Sequence, residues 1–329
     1  MRTLRVEHVL VTGGAGFIGS HIVEGLLQRG LRVTVLDNFC TGKIENLENL
    51  CDGKAKPGKD FQVVNGDIRD SSALNTVAKK VDAILHQAAL GSVPRSVEDP
   101  WTTHTVNADG TLNVFLAAKK NHIQRVVYAS SSSVYGDAET LPKQEGKEGV
   151  ALSPYALTKQ INEQYGRLFF DLYGLETVGL RYFNVYGARQ DPASEYAAVI
   201  PRFVTALLKG EPPVIYGTGE QTRDFTYVKD VVEANIAALE APREACGNAY
   251  NIGAGCRTSL LELLSILQDL LGSGVQAVHA APRPGDVMHS MADTSRASSV
   301  LGFAAHTSLR EGLAQSIEWY RTCYSHIEQ

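Results

Sequence analysis

The chain has 329 residues, a formal net charge of −5, a charged fraction of 20% and a hydrophobic fraction of 44%. That length suits two domains, or one large domain with a smaller lobe, and the apolar share is enough for a substantial core. The mild negative balance gives no basic footprint for nucleic acid and no polybasic stretch for anionic lipid, so neither partner is expected; a polyanionic ligand has to be met by local arginines and helix N-termini.

Residues 1–10 are apolar but interrupted by Arg5, Glu7 and His8, with glycines directly after, which fits neither a signal peptide nor a membrane span. Cys40, Cys51, Cys246, Cys256 and Cys323 are odd in number and lack C-x-x-C spacing. They read as reduced thiols of a cytoplasmic protein, with no disulfide frame and no metal site.

The first half alternates short β-branched runs with longer helical patterns. Strands are expected at 6–12, 32–36, 61–64, 82–86, 124–130 and 176–182. Helices are expected at 17–29, 101–121 and 154–173, the last with Pro154 at its first position. Such alternation implies right-handed crossovers and an α/β fold of the Rossmann type, a doubly wound parallel sheet covered on both faces. After Gly187 the rhythm changes: 189–195 is a polar loop, Glu211-Pro212-Pro213 punctuates the chain, and helices are expected at 230–239, 258–271 and 308–324. The division that follows gives residues 1–182 plus about 225–252 to a nucleotide-binding domain. Residues 183–224 plus about 253–329 go to a smaller mixed α/β substrate lobe.

Gly13, Gly16 and Gly19 form G-x-x-G-x-x-G between the first strand and the first helix. One glycine makes the tight turn, one lets backbone approach a pyrophosphate, and one lets helix and strand pack closely. The N–H groups at the helix start, around Phe17 and Ile18, then face the phosphates. Asp37 ends the second strand at the offset where a carboxylate takes the adenosine ribose hydroxyls, and it disfavours the extra phosphate of NADP. Asp67 and Ile68 follow the third strand and suit either the border of an adenine or the approach to a helix.

Tyr155 and Lys159 sit four apart at a helix start, on one face. A free phenol titrates near about 10, too high for a base at neutral pH; a cation held nearby lowers that value. The pair can then take a proton from an alcohol while hydride leaves the same carbon. The serine run 130–133 ends the preceding strand, at the sheet edge where ligands bind in such folds; it equally suits a capped turn.

Taken in order, Gly13-x-x-Gly16-x-x-Gly19, Asp37, His86-Gln87-Ala88-Ala89, Asn107-Ala108-Asp109-Gly110-Thr111, the serine run, Tyr155-x-x-x-Lys159 and Arg181-Tyr182-Phe183-Asn184-Val185-Tyr186-Gly187 resemble the extended short-chain dehydrogenase/reductases that act on nucleotide sugars. The resemblance covers almost the whole chain. It implies NAD as cofactor, a nucleotide sugar as substrate, and a homodimer built on the helices at 101–121 and 154–173. By this resemblance Tyr155 is the base, Lys159 its cationic partner, and Ser131 the catalytic hydroxyl. Asn38, Ala88, Ala89, Asn107 and Tyr182 join the cofactor residues. Ser132, Ser133, Asn184, Val199, Arg202, Tyr216, Arg223, Arg283 and Asp286 fall on the substrate side, where guanidinium forks suit diphosphate oxygens.

The related dehydratases carry acids directly after the catalytic Ser/Thr, and here those positions are Ser132 and Ser133. A UDP-sugar 4-epimerase needs only the tyrosine, lysine, serine and a cofactor that keeps its hydride. The segments 88–96 and 283–290 are similar to bacterial UDP-N-acetylglucosamine 4-epimerases, in which the position of Ser290 gates the 2-acetamido group; Ser92 is placed to meet that amide. UDP-glucuronate 4-epimerase, UDP-galactose 4-epimerase, a dehydratase, a net-redox dehydrogenase and a non-catalytic NAD sensor remain open as alternatives.

Overall fold

A computed structural model describes residues 6–48, 50–194, 197–282 and 287–327. In chain order the first half contains β1 (His8–Thr12), α1 (Phe17–Gln28), β2 (Arg32–Asp37), β3 (Phe61–Asn65), α2 (Ser71–Ala78) and β4 (Ala83–His86). There follow α3 (Val93–Glu98), α4 (Pro100–His104), a π-helical turn (Thr105–Asp109), α5 (Gly110–Lys120), β5 (Arg125–Ser131), α6 (Pro154–Tyr173) and β6 (Glu176–Tyr182). The remainder comprises β7 (Val185–Tyr186), α7 (Val199–Lys209), β8 (Val214–Tyr216), β9 (Thr222–Arg223), β10 (Thr226–Tyr227), α8 (Val228–Glu240), β11 (Asn248–Ile252), β12 (Thr258–Ser259), α9 (Leu260–Leu271), β13 (Val278–Ala280) and α10 (Leu309–Ile327).

Seven strands form one sheet in the order β11-β6-β5-β4-β1-β2-β3, every pair parallel. Alternating residues feed opposite faces, as strand geometry requires: Val127 of β5 joins the core under α1 and α8, while Val126 and Tyr128 join the core under α2, α5 and α6. A separate apolar cluster around Phe203, Leu263, Leu267 and Leu313 builds the smaller lobe. The order in which strands are added reverses between β1 and β4, which opens a crevice at the C-terminal edge of the sheet.

Local sequence accounts for the element that matters most. Ser153 caps α6 by accepting from Ala156 N, Pro154 occupies its first turn, and Gly174 ends it in the left-handed conformation at φ 70. The helix expected at 101–121 is not continuous: a wider π turn at Thr105–Asp109 separates α4 from α5, and periodicity alone cannot reveal one such turn. The helix expected from 258 starts at Leu260 instead, because Thr258–Ser259 pairs with β9 and Ser259 forms a capping box with Glu262. Strand β5 runs one residue later than expected, so Ser131 is its last residue.

Candidate active site

A cavity of about 310 Å³ opens at the crevice, lined by Gly13, Gly16, Phe17, Ile18, Gly19, Asp37, Asn38, Asp67, Ile68, Ala88, Ala89, Tyr155, Lys159 and Tyr182. Those are fourteen of the expected cofactor residues, drawn from the C-terminal ends of β1, β2, β3, β4 and β6 and from the start of α6. Gly13 adopts φ +70, and a Cβ there would lie 2.6 Å from the Ala88 backbone nitrogen; at Gly19 it would lie 2.0 Å from the Gly13 carbonyl oxygen. Only glycine lets β1, the loop after β4 and α1 come together this closely. Helix α1 has no side-chain cap and no acid in its first turn, leaving its N–H groups turned toward the cavity.

At the other end of the cavity, Asp37 is buried and accepts from Ala15 N at 2.9 Å and Phe39 N at 2.8 Å, which fixes the carboxylate. Asn38 donates to Asp67 at 2.8 Å. The Arg69 side chain bonded to Asp67 holds that carboxyl down to about 2, so it is charged at neutral pH.

Asn107 stands behind the other cofactor residues. It is fully buried and does not line the cavity. Its Oδ1 accepts from Leu90 N at 2.8 Å, and its Nδ2 donates to Leu90 O at 3.2 Å and Thr158 Oγ1 at 3.4 Å. The amide is spent on the loop that borders the cavity, so it shapes the site without facing a ligand. His86 behaves similarly: buried between Thr12 and Thr111, it is pushed down to about 3 by burial, with Lys159 adding repulsion, and is neutral.

Lys159 is buried, with Nζ donating to Ala129 O at 2.8 Å and lying 5.9 Å from the centre of the Tyr155 ring. Burial pulls its amine down to about 8, against an opposing pull from Glu163. The Tyr155 ring is partly exposed at the cavity while its phenol group is enclosed. Burial raises that phenol, and a hydrogen bond with Ser131 offsets part of the rise. The net direction is upward, because loss of water on burial outweighs that hydrogen bond. Ser131 Oγ also accepts from Ser133 N at 3.1 Å.

A second cavity, about 840 Å³, lies against the smaller lobe and is lined by Asn184, Val199, Arg202, Tyr216 and Arg223, together with Gln190 and Phe225. The Arg202 guanidinium sits 5.3 Å from the centre of the Tyr216 ring. Ser132, Ser133, Ser92 and Ser290 line neither cavity. Ser92 caps α3 by accepting from Arg95 N and stands between Gly91 of the first cavity and Val93 of the second. Ser290 donates its N–H to Thr222 O at 3.1 Å, beside Arg223. Arg283 and Asp286 lie outside the described residues.

Asn235 and Glu163, not singled out in the sequence, and Gln87 of the run 86–89 complete the surroundings. Asn235 of α8 donates to the Tyr182 hydroxyl at 2.8 Å, and Gln87 donates to Asn235 Oδ1 at 3.2 Å, which locks the floor of the first cavity. Glu163 bonds Ser130 next to Lys159. Its place four residues beyond Lys159 was a signal available in the sequence.

Residues 9–253 match the NAD dependent epimerase/dehydratase family. A putative UDP-glucose 4-epimerase of Methanocaldococcus jannaschii is 41% identical over 315 residues, covering 95% of this chain and 98% of its own. The solved UDP-N-acetylglucosamine 4-epimerase of Methanobrevibacter ruminantium, in complex with UDP-N-acetylmuramic acid, superposes with a TM-score of 0.90 at 40% identity, covering 97% of this chain and 99% of its own. The UDP-glucuronic acid 4-epimerase of Bacillus cereus, solved with UDP-glucuronic acid and NAD, gives a TM-score of 0.88 at 31% identity, covering 96% and 100%.

Proposed function

The chain belongs to the NAD dependent epimerase/dehydratase family, and from that premise we propose that it is a UDP-sugar 4-epimerase whose preferred pair is UDP-N-acetylglucosamine and UDP-N-acetylgalactosamine. The carrying observation is the kind of ionisable group at the reacting end. Among the described residues, Asp37 and Asp67 are the only carboxylates lining either cavity, and both lie with the residues expected around the adenosine. Elimination of water needs an acid beside the tyrosine; Ser132 and Ser133 occupy the positions where dehydratases carry one.

The first cavity suits NAD: the glycines let β1, the loop after β4 and α1 close into a tight backbone cradle, and the fixed Asp37 suits a ribose diol. When bound, this cofactor supplies an acceptor for the C4 hydride that later returns it, with a positive charge that favours phenolate nearby. Tyr155 takes the C4 hydroxyl proton, and Ser131 holds the same oxygen. The Lys159 ammonium supplies the fixed positive charge of the chain itself. After the 4-keto sugar turns over, the Tyr155 phenol gives the proton back, so nothing is consumed. Arg202 and Arg223 are the cations proposed for the diphosphate, with Asn184, Val199 and Tyr216 around the uridine.

A homodimer is part of the proposal. Trp101, Leu116, Leu157, Leu168 and Leu172 are exposed apolar side chains on α4, α5 and α6, the faces a second copy would cover. Light scattering on the purified chain measures this directly.

The reaction is tested by incubating purified protein with UDP-N-acetylglucosamine and no added cofactor. Appearance of UDP-N-acetylgalactosamine by proton NMR is expected. Accumulation of a 4-keto-6-deoxy sugar, or an absolute need for added NAD with release of NADH, overturns the reading. UDP-glucuronate, run in parallel, separates the uronate alternative suggested by the Bacillus cereus relative.

A further inference from the structure

Tyr155, Lys159 and Glu163 follow one another at four-residue spacing along α6, so they project from one face. Lys159 and Glu163 are fastened to consecutive residues of β5: the amine donates to Ala129 O at 2.8 Å, and Ser130 Oγ donates to Glu163 Oε1 at 2.5 Å. Arg181 of β6 grips the same carboxylate twice, Nε to Oε1 at 2.9 Å and Nη2 to Oε2 at 2.7 Å. The third guanidinium nitrogen donates to Glu148 and to the Tyr135 hydroxyl. One guanidinium therefore serves two carboxylates, and the cluster keeps a net negative charge one helical turn from the buried amine.

Resting on the epimerase reading, we infer that Glu163 is a positioning residue for that reaction: it keeps the Lys159 ammonium charged and, through Ser130, holds β5 and α6 in register around Tyr155.

Other groups facing Lys159 cannot do this. Tyr155 lies on its own helix and His86 on β4; Tyr128, Ser130 and Ser131 lie on β5, and Arg181 and Tyr182 on β6. His86 is neutral and buried, and the tyrosines Tyr128, Tyr155 and Tyr182 are all pushed up by burial, hence uncharged near neutrality. Arg181 is a cation already paired with Glu148 and Glu163. Glu163 is left as the group that opposes the desolvation of the amine. A glutamate serving only its ion pair with Arg181 would matter for stability and leave the titration of Lys159 alone.

The experiment titrates Lys159 in the NAD-loaded enzyme carrying carbon-13-labelled lysine, its resonance assigned by its loss in Lys159→Met, alongside the pH profile of turnover. Glu163→Gln is expected to lower the Lys159 midpoint by about one pH unit, and with it the alkaline fall in kcat. At about pH 9 the variant then turns over several-fold slower than the parent, against near parity at about pH 6.5. Glu163→Asp is expected to restore most of the midpoint. An unmoved midpoint in folded Glu163→Gln overturns the inference, whatever happens to Tm. Should that variant fail to fold because Arg181 loses one of its two carboxylates, the double change Glu163→Gln with Arg181→Gln is compared with Arg181→Gln alone; a lower Lys159 midpoint in the double variant supports the inference and an equal midpoint overturns it. The titration needs no sugar, so a shifted midpoint in an enzyme with no epimerase activity upholds the electrostatic link and sinks the epimerase reading separately.

Discussion

Asn107 grips the backbone of Leu90 at both ends, accepting from its N–H at 2.8 Å and donating to its carbonyl at 3.2 Å. The π turn at Thr105–Asp109 places the amide there, and the loop it secures borders the cofactor cavity beside Ala88 and Ala89. Asn107→Ala leaves two buried backbone groups without partners, at a cost of about 2–4 kcal/mol. The variant is expected to lose several degrees of Tm and to purify with less bound NAD, read from its absorbance spectrum after denaturation. Full NAD content at an unchanged Tm would show that the loop holds itself.

Tyr155 and Lys159 separate in what their loss does to stability. Tyr155→Phe removes the proton acceptor and is expected to lower kcat by about 10²–10⁴, with KM little changed. Lys159→Met is expected to lower kcat as severely, yet to leave Tm equal or higher at pH 7. Burial pulls the amine down to about 8, so a charged lysine is held at a cost in the native state. The bond to Ala129 returns only about 1 kcal/mol of that. Retained turnover in Tyr155→Phe would remove the mechanism; a large fall of Tm in Lys159→Met would mean the amine is structural.

Much of this arrangement is legible in the sequence because it is local. The run Ser153-Pro154 to Gly174 carries its own start and stop signals, and α6 has the expected bounds. The glycine string needs only one turn of chain to state its purpose, and Asp37 only the end of the next strand. What stayed hidden joins distant parts. The role of Asn107 depends on one π turn and on Leu90, seventeen residues away. Glu163 depends on Ser130 and Arg181, which lie on two strands packed against its helix. In the smaller lobe, strands such as β9 and β12 are two residues long, too short for any alternation to show. Helix α7 was missed with Pro201 in its first turn, a position where proline reads equally as a loop.

Two buried histidines set an acid limit on stability. His86 is pushed down to about 3 and His21 to about 4, both chiefly by burial. Between those values and the ordinary histidine range, the unfolded chain binds protons that the folded chain does not, so stability falls as pH falls. The loss begins near about pH 6.5 and grows by roughly 1.4 kcal/mol per pH unit for each histidine until its folded value is reached. Urea midpoints measured between pH 7 and pH 4.5 are expected to drop steeply, and more shallowly in His21→Asn, whose side chain can still donate to Ala188 O. A flat profile over that interval would mean that both rings are accessible to protons in the native state.

Ser290 offers the test of the sugar preference. Its N–H is tied to Thr222 O, which fixes the backbone beside Arg223 at the edge of the substrate cavity, while its side chain is small and lines neither cavity. The gate proposed for this position supposes that a tyrosine there crowds a 2-acetamido group. Ser290→Tyr is therefore expected to keep interconversion of UDP-glucose and UDP-galactose and to lower kcat/KM for UDP-N-acetylglucosamine by about tenfold or more, within the range that steric fit in a pocket supplies. Rates for both sugar pairs, measured on one preparation, decide it: an equal loss on both pairs would mean that the tyrosine disturbs the lobe as a whole and that Ser290 gates nothing.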